Sequence, residues 1–323
     1  MEAEAAQPRV WSKRQLGMNA HSRRCREFAT HHDLVFNDFF APEVVLLDYA
    51  LEAFHDHNAQ VNRNLGRFQD EGHLTWRYLT ALYQRVYEQH SACVICYFSG
   101  AWASVEVLAR VVLESAANTV YVSQNPSQRL PNYFAHYFEA ESKKVQRQQI
   151  YGRQLTAEEK VATDEAIAIG TYGLSSRREL LEKILKNDQL MIQGAEDWPT
   201  STFELFRAIG WEVIYRDLYS NLSSQVHSDA DGYIDYIIAT AVSAIDPAGD
   251  LDAAHEVRMH VLHYFLRASV ALVKATESAN AALGLSQVVV TKCQTELTAR
   301  LEANASKLLA LKRRNLLPPK TQL

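Results

Sequence analysis

Between Leu74 and Tyr121 the sequence contains a single glycine, Gly100, and no proline, and its apolar residues fall on nearly every side of a helical projection. A helix that is apolar all round has to be covered all round, so the rest of the chain must supply its neighbours. The spacing predicts one very long helix, or two in line with Gly100 as the weak point, at the centre of a bundle. Twelve glycines and eight prolines in 323 residues are about half of ordinary usage, so regular structure has few places to stop. No segment shows the alternation of a half-buried strand, and no internal repeat or low-complexity tract stands out. The fold class expected is therefore all-α: an antiparallel helical bundle with a long central helix and peripheral decorating helices.

The remaining segments supply the cover. Residues 1–40 read as a loosely ordered N-terminal arm with room for one short helix, residues 41–285 as the bundle core, and residues 286–323 as a C-terminal amphipathic helix and tail. A helix starts near Pro42 and runs to about Leu65. Asn125-Pro126-Ser127 breaks the central stretch, and Pro131 can open the next helix, which continues to about Arg153. Thr156 with Glu159 three residues on has the form of a capping box. Gly170 and Gly173 punctuate, and Ser175 or Ser176 can cap a helix carrying Leu180 and Ile184. A helix is predicted from residue 201 to about His227, another from Ile234 to Ile245, and a long one from Asp252 to about Leu283, with turns at Asp229–Gly232 and Asp246–Gly249. The last runs from about Ser286 to Arg314.

A formal charge of −5 and a pI near 6.2 describe an ordinary soluble surface, so any contact with nucleic acid must be local. The opening MEAEAAQPRV lacks the apolar core of a secretory signal, and of the four cysteines only Cys93 and Cys96 are close, so a reducing cytoplasm is expected. Glu106 and Arg110 interrupt the most apolar window, which reads as a buried helix and not a membrane span. The sequence has no P-loop, no dinucleotide-binding glycine motif and no serine nucleophile elbow, and no cofactor is expected. Cys93-x-x-Cys96 reads as core packing. His255, Glu256, His260 and His263 include pairs at ligand spacing with no matching cluster, and no metal is assigned to them.

One polar constellation stands out. Arg110, Glu114 and Asn118 repeat at intervals of four, so they share one face of the central helix. Tyr219, Ser223 and His227 repeat the pattern on a second helix. Burying an arginine or a glutamate without a partner costs several kcal/mol, roughly, so the two rows must satisfy one another or face a wet pocket. Both readings stay open at this point: a registering ion pair with cross-helix bonds from Tyr219 and His227, or a site.

The two segments, Arg110-Val-Val-Leu-Glu114-Ser-Ala-Ala-Asn118 and Tyr219-Ser-Asn-Leu-Ser223-Ser-Gln-Val-His227, resemble the two motifs of an uncharacterised helical family of bacterial proteins, a domain of unknown function, over roughly residues 75–275. Such proteins are similar to the higher-eukaryote and prokaryote nucleotide-binding helical superfamily, many of whose members are metal-independent ribonucleases of toxin and phage-defence systems. The resemblance implies a bacterial effector acting on RNA. His227 would be the general acid–base, Arg110 would neutralise the phosphorane, and Glu114 would hold Arg110 or share the proton transfer. Asn118, Tyr219 and Ser223 would orient phosphate or base. The superfamily's ribonuclease signature places an arginine four to six residues before the histidine; here Arg216 lies eleven before His227, so Arg110 from the other helix would have to replace it. The alternative is a sensor or scaffold subunit that binds a partner protein or small ligand in the same interhelical pocket. The C-terminal helix, ending in Lys312-Arg313-Arg314, suits the bundle's outer layer, a protein partner or a homo-oligomer seam.

Overall fold

The computed structural model describes residues 22–34, 41–70, 75–151, 156–187, 198–219 and 247–316. The helices are α1 (Ser22–His31), α2 (Ala41–Arg63), α3 (Leu65–Asp70), α4 (Thr75–Ser99), α5 (Trp102–Gln124), α6 (Pro126–Tyr151), α7 (Ala157–Asn187), α8 (Thr202–Ala208), α9 (Glu212–Ile214), α10 (Pro247–Ala282) and α11 (Val288–Leu316). Among the described residues every regular element is helical, so the expected all-α bundle is what the chain forms.

At Gly100 the backbone enters the left-handed region with φ of 80°, where a side chain would be strained. The Ala101 N–H donates to the Cys96 carbonyl at 2.9 Å and the Gly100 N–H to the Tyr97 carbonyl at 3.3 Å, the bond pair that closes a helix C-terminus. The chain then turns back. The stretch from Leu74 to Tyr121 is thus neither one rod nor two helices in line, but a hairpin in which α4 and α5 pack on each other. Each covers one apolar side of its neighbour, and α10 covers a further side of both. The core of α5 is built from Val105, Ala109, Val112, Leu113, Ala116, Ala117 and Val120, all buried.

Polar residues set the register between these apolar faces. His90 and Tyr83 of α4 are seven residues apart, as are their partners Ser269 and Thr276 of α10, taken in the opposite direction, so the two helices run antiparallel. His90 Nε2 lies 2.9 Å from Ser269 Oγ, and Thr276 Oγ1 lies 2.9 Å from Tyr83 Oη. On the next helix, His57 of α2 meets Asn280 Oδ1 at 2.6 Å through Nδ1. Glu43 of α2, almost wholly buried, is paired with Arg258 of α10 at 2.6 Å. Helix α11 closes the bundle against α2 and α10 through Val290, Cys293, Leu297 and Leu301, which makes it an outer layer. Helix α1 packs on α2 and buries Cys25 and Phe28.

Several boundaries differ from the sequence reading. Pro126, not Pro131, opens α6, and Pro131 sits inside it. The box at Thr156 does open α7: the Thr156 N–H donates to Glu159 Oε2 at 3.0 Å and the Glu159 N–H to Thr156 Oγ1 at 3.4 Å. Gly170 and Gly173, however, interrupt nothing, because mid-helix glycine costs only about 1 kcal/mol and thirty-one residues of helix absorb it. The helix expected from residue 201 stops after Ala208, where Gly210 takes φ of 75°. The long helix near the C-terminus starts at Pro247, inside the expected loop. The helix at 234–245, the turn at 229–232, residues 1–21 of the arm and the tail beyond 316 lie outside the described residues. Cys93 is fully buried and Cys96 half-buried, both unbridged, as core packing requires.

The buried histidines make stability depend on pH. Ser269 Oγ donates to the Phe265 carbonyl at 3.0 Å, so the His90 Nε2–H must donate to Ser269, and Nδ1 is a bare acceptor with no partner. Protonating Nδ1 would bury a charged donor, and burial pushes the His90 pKa down to about 3. Burial also lowers His57, despite its Asn280 bond. Because the unfolded chain takes up these protons near pH ~6.5 and the folded chain does not, stability is full above that pH and falls as pH drops towards 3, by about 1.4 kcal/mol per unit for each fully depressed histidine. Urea melts between pH 7.5 and 4.5 should show this slope, and His90→Gln should flatten it.

Candidate functional site

The α8 region positions Tyr219, the first residue of the second motif. Ser201 caps α8, its Oγ accepting the Glu204 N–H at 3.2 Å. Past Gly210, α9 runs into a π-helical turn, Tyr215–Tyr219. Phe206, fully buried, anchors that turn: its ring lies 5.6 Å from Tyr215 and 5.4 Å from Tyr219, and the two tyrosine rings stack at 4.9 Å. The wider turn thereby directs Tyr219 at α5, whose contact with α8 completes this side of the bundle.

There Tyr219 meets the first motif. Arg110 Nε donates to Glu114 Oε1 at 3.1 Å, its Nη2 donates to Tyr219 Oη at 2.9 Å, and the Tyr219 hydroxyl donates to the same Glu114 oxygen. The guanidinium carbon also stands 4.7 Å from the Tyr219 ring centroid. Arg110 is 17% exposed, Glu114 36% and Tyr219 5%, so the group is a partly sealed triangle whose carboxylate edge reaches solvent. Burial works against the Arg110 charge, but its bonds to Tyr219 and Glu114 outweigh it and hold the guanidinium above its ordinary value. Burial, then the Glu114 bond, pushes the Tyr219 phenol up, which keeps it a neutral donor near pH 7. Arg110 Nη1 is enclosed and without a hydrogen-bond partner.

Of the six residues singled out from sequence, the structure brings Arg110, Glu114 and Tyr219 together. Asn118 follows one turn along α5, half-buried. Ser223 and His227 lie outside the described residues. Two residues not included in the site stand nearby on α10. Burial lowers the Arg267 pKa, with Asp217 of the π-helical turn counteracting it, and Arg267 Nε donates to His263 Nε2 at 3.4 Å. The sequence offers His263 only at metal-ligand spacing, and its four-residue step to Arg267 is the signal for the pair. Among the described residues no group of three or more His, Cys, Asp or Glu is placed to hold a metal ion, and no helix is long and apolar enough to cross a membrane.

Residues 77–241 match a family of unknown function, DUF5677. The chain belongs to that family. The DUF5677 segment spans both motifs, together with α5, α6 and α7 and nearly all of α4, whereas α2, α10 and α11, which cover and register the hairpin, lie outside it. No curated protein and no solved structure matches the chain.

The triangle predicts its own energetics. Tyr219→Phe removes one donor and one acceptor while keeping the ring over Arg110, and should destabilise the fold by about 1–2 kcal/mol in chemical denaturation. Glu114→Gln, at a more exposed position, should cost less than Tyr219→Phe.

Proposed function

We propose that this chain is a bacterial defence or toxin-type effector that cleaves RNA without a metal ion, and that the Arg110–Glu114–Tyr219 triangle is one wall of its site. The observation that carries the reading is the meeting of Tyr219 with Arg110 and Glu114: residues 109 positions apart form a cation, a carboxylate and a neutral phenol within hydrogen-bond reach of one another. In this proposal Arg110, held cationic, faces the charge that develops on the phosphorane. Glu114 fixes its orientation and, through its solvent-facing edge, is open to proton exchange. Tyr219 donates a hydrogen bond to a phosphoryl or base oxygen in exchange for its bond to Glu114. His227, eight residues beyond Tyr219, supplies the acid–base group, imidazole being the side chain that ordinarily exchanges protons near neutral pH, and Ser223 and Asn118 orient the substrate. The resemblance of the two sequence segments to the helical nucleotide-binding superfamily suggests the reaction class by analogy. A cytoplasmic location fits such a role.

One observation favours a second reading. Arg110 and Glu114 neutralise one another and Tyr219 bonds to both, as expected of a contact that binds or registers without reacting. On that reading the chain is a non-enzymatic sensor or scaffold subunit.

Incubating a mixed RNA pool with the purified full chain in EDTA separates the two. The ribonuclease reading expects cleavage that falls at least about a hundredfold in His227→Ala and in Arg110→Ala, with circular dichroism unchanged. Intact RNA with wild-type protein, or undiminished cleavage by a folded His227→Ala variant, contradicts it.

A further inference from the structure

Helix α7 packs on α6 and presents its opposite side to solvent. Its inward face carries Ile167 and Leu185, both buried. Its outward face carries a second apolar row: Ala162, Ala166, Ile169, Gly173, Ser176 and Leu180 follow one another by alternating steps of four and three, with Ile184 closing the row. Ile169 is 66% exposed and Leu180 60%, and Val161 and Tyr172 flank them, equally open. A helix with apolar residues on two faces and cover on one exposes a patch of the kind that marks an interface.

Gly173 says something about what covers it. A side-chain carbon built there meets nothing within 4 Å, and the same holds for Gly170 at the edge of the row. Nothing in the described packing requires these glycines, although each costs about 1 kcal/mol relative to alanine in mid-helix. A second helix crossing closely at Gly173 would require the space. Its ends are symmetric about this residue in the sense an antiparallel pair needs: reversed on itself, the helix sets Ala166 against Leu180 and Ala162 against Ile184, small against large, while Ile169 comes opposite the aliphatic stem of Arg177 and Ser176 opposite Gly170. The charges have the same symmetry. Glu165 and Lys183, both exposed, lie on one edge of the row on either side of Gly173. The first half of α7 carries Glu158, Glu159, Asp164 and Glu165 against Lys160 and is net acidic; the second carries Arg177, Arg178, Lys183 and Lys186 against Glu179 and Glu182, the latter bonded to Arg178, and is net basic. Parallel copies would set like charges together, whereas antiparallel copies bring Glu165 to Lys183 twice and oppose the helix dipoles.

We infer that α7 is a homodimer interface, in which two copies of this chain pair antiparallel about a two-fold axis at Gly173. The seam from Ala162 to Ile184 is about 33 Å long at 1.5 Å per residue, and the contact is isologous, each copy offering the same row. This surface is separate from the Arg110 site and from the C-terminal helix, whose apolar stripe is already spent on α2 and α10.

Sedimentation equilibrium of the full chain tests it, together with charge swaps and a cysteine at the axis. Wild-type protein should be a dimer; Glu165→Lys and Lys183→Glu should each raise the dissociation constant about tenfold or more, and the double swap should restore it. Gly173→Cys should form a disulfide to its own copy under mild oxidation, because an axial residue meets itself. A monomer across the concentration range overturns the inference. So does a dimer indifferent to the swaps and uncrosslinked through Gly173→Cys, which would place the seam elsewhere, or a monomer whose α7 row binds a different protein.

Discussion

Reversal of the chain at Gly100 turns a stretch that is apolar on all sides into two helices that cover each other, and the position of most other elements follows from this. A single rod of that length would need neighbours along its whole circumference. Folded into α4 and α5, it leaves one broad face, which α10 covers, and α2 and α11 then close over α10. The cost of the reversal is confined to one residue with no side chain to strain. The hairpin also leaves an edge of α5 free of α4 and α10, and on that edge Arg110 and Glu114 wait for a partner from outside the hairpin.

The partner comes from a turn whose position is fixed by aromatic packing instead of helix continuity. Gly210 ends α8, and Phe206, Tyr215 and Tyr219 form a stack that returns the chain to α5. An arginine at such depth would be costly alone; with a carboxylate and a phenol as partners it can stay charged. The same rule runs through the rest of the interior, where Glu43 is paired with Arg258 and His90, Tyr83 and His57 each take one neutral partner from α10. A cluster of charge at α5 and a ladder of neutral pairs along α4 and α10 are thus two solutions to one problem, polar groups between apolar helices. Only the first is of a kind that chemistry could use.

The fold class was legible in the sequence because helical periodicity, scarce turn residues and the box at Thr156 act locally. What was not legible depends on contacts. Gly100 is visible as a weak point, but whether the chain bends or reverses there is decided by the apolar faces that must meet. Gly210 looks no different from Gly173, yet one ends a helix and the other does not, because an aromatic cluster waits beyond Gly210 and an uninterrupted helix continues through Gly173. The site was half legible. The four-residue steps at Arg110, Glu114 and Asn118 and the distant Tyr219 gave the group, since charged residues in an apolar helix need partners. His263 and Arg267 were missed because a histidine on a mixed helical face carries no signal until its neighbours are known, and the buried ladder was missed because Ser269, Thr276 and Asn280 are ordinary residue types whose spacing matters only against α4 and α2.

The claim on which this account turns is that the two motifs are energetically joined through Arg110 and Tyr219. A double-mutant cycle in urea denaturation, using Arg110→Met and Tyr219→Phe singly and together, measures it directly. The account predicts that the two losses are not additive, with a coupling of about 1 kcal/mol or more between residues 110 and 219. Additivity within roughly 0.3 kcal/mol would mean that the motifs do not meet as described, and the site built on their meeting would fall with it.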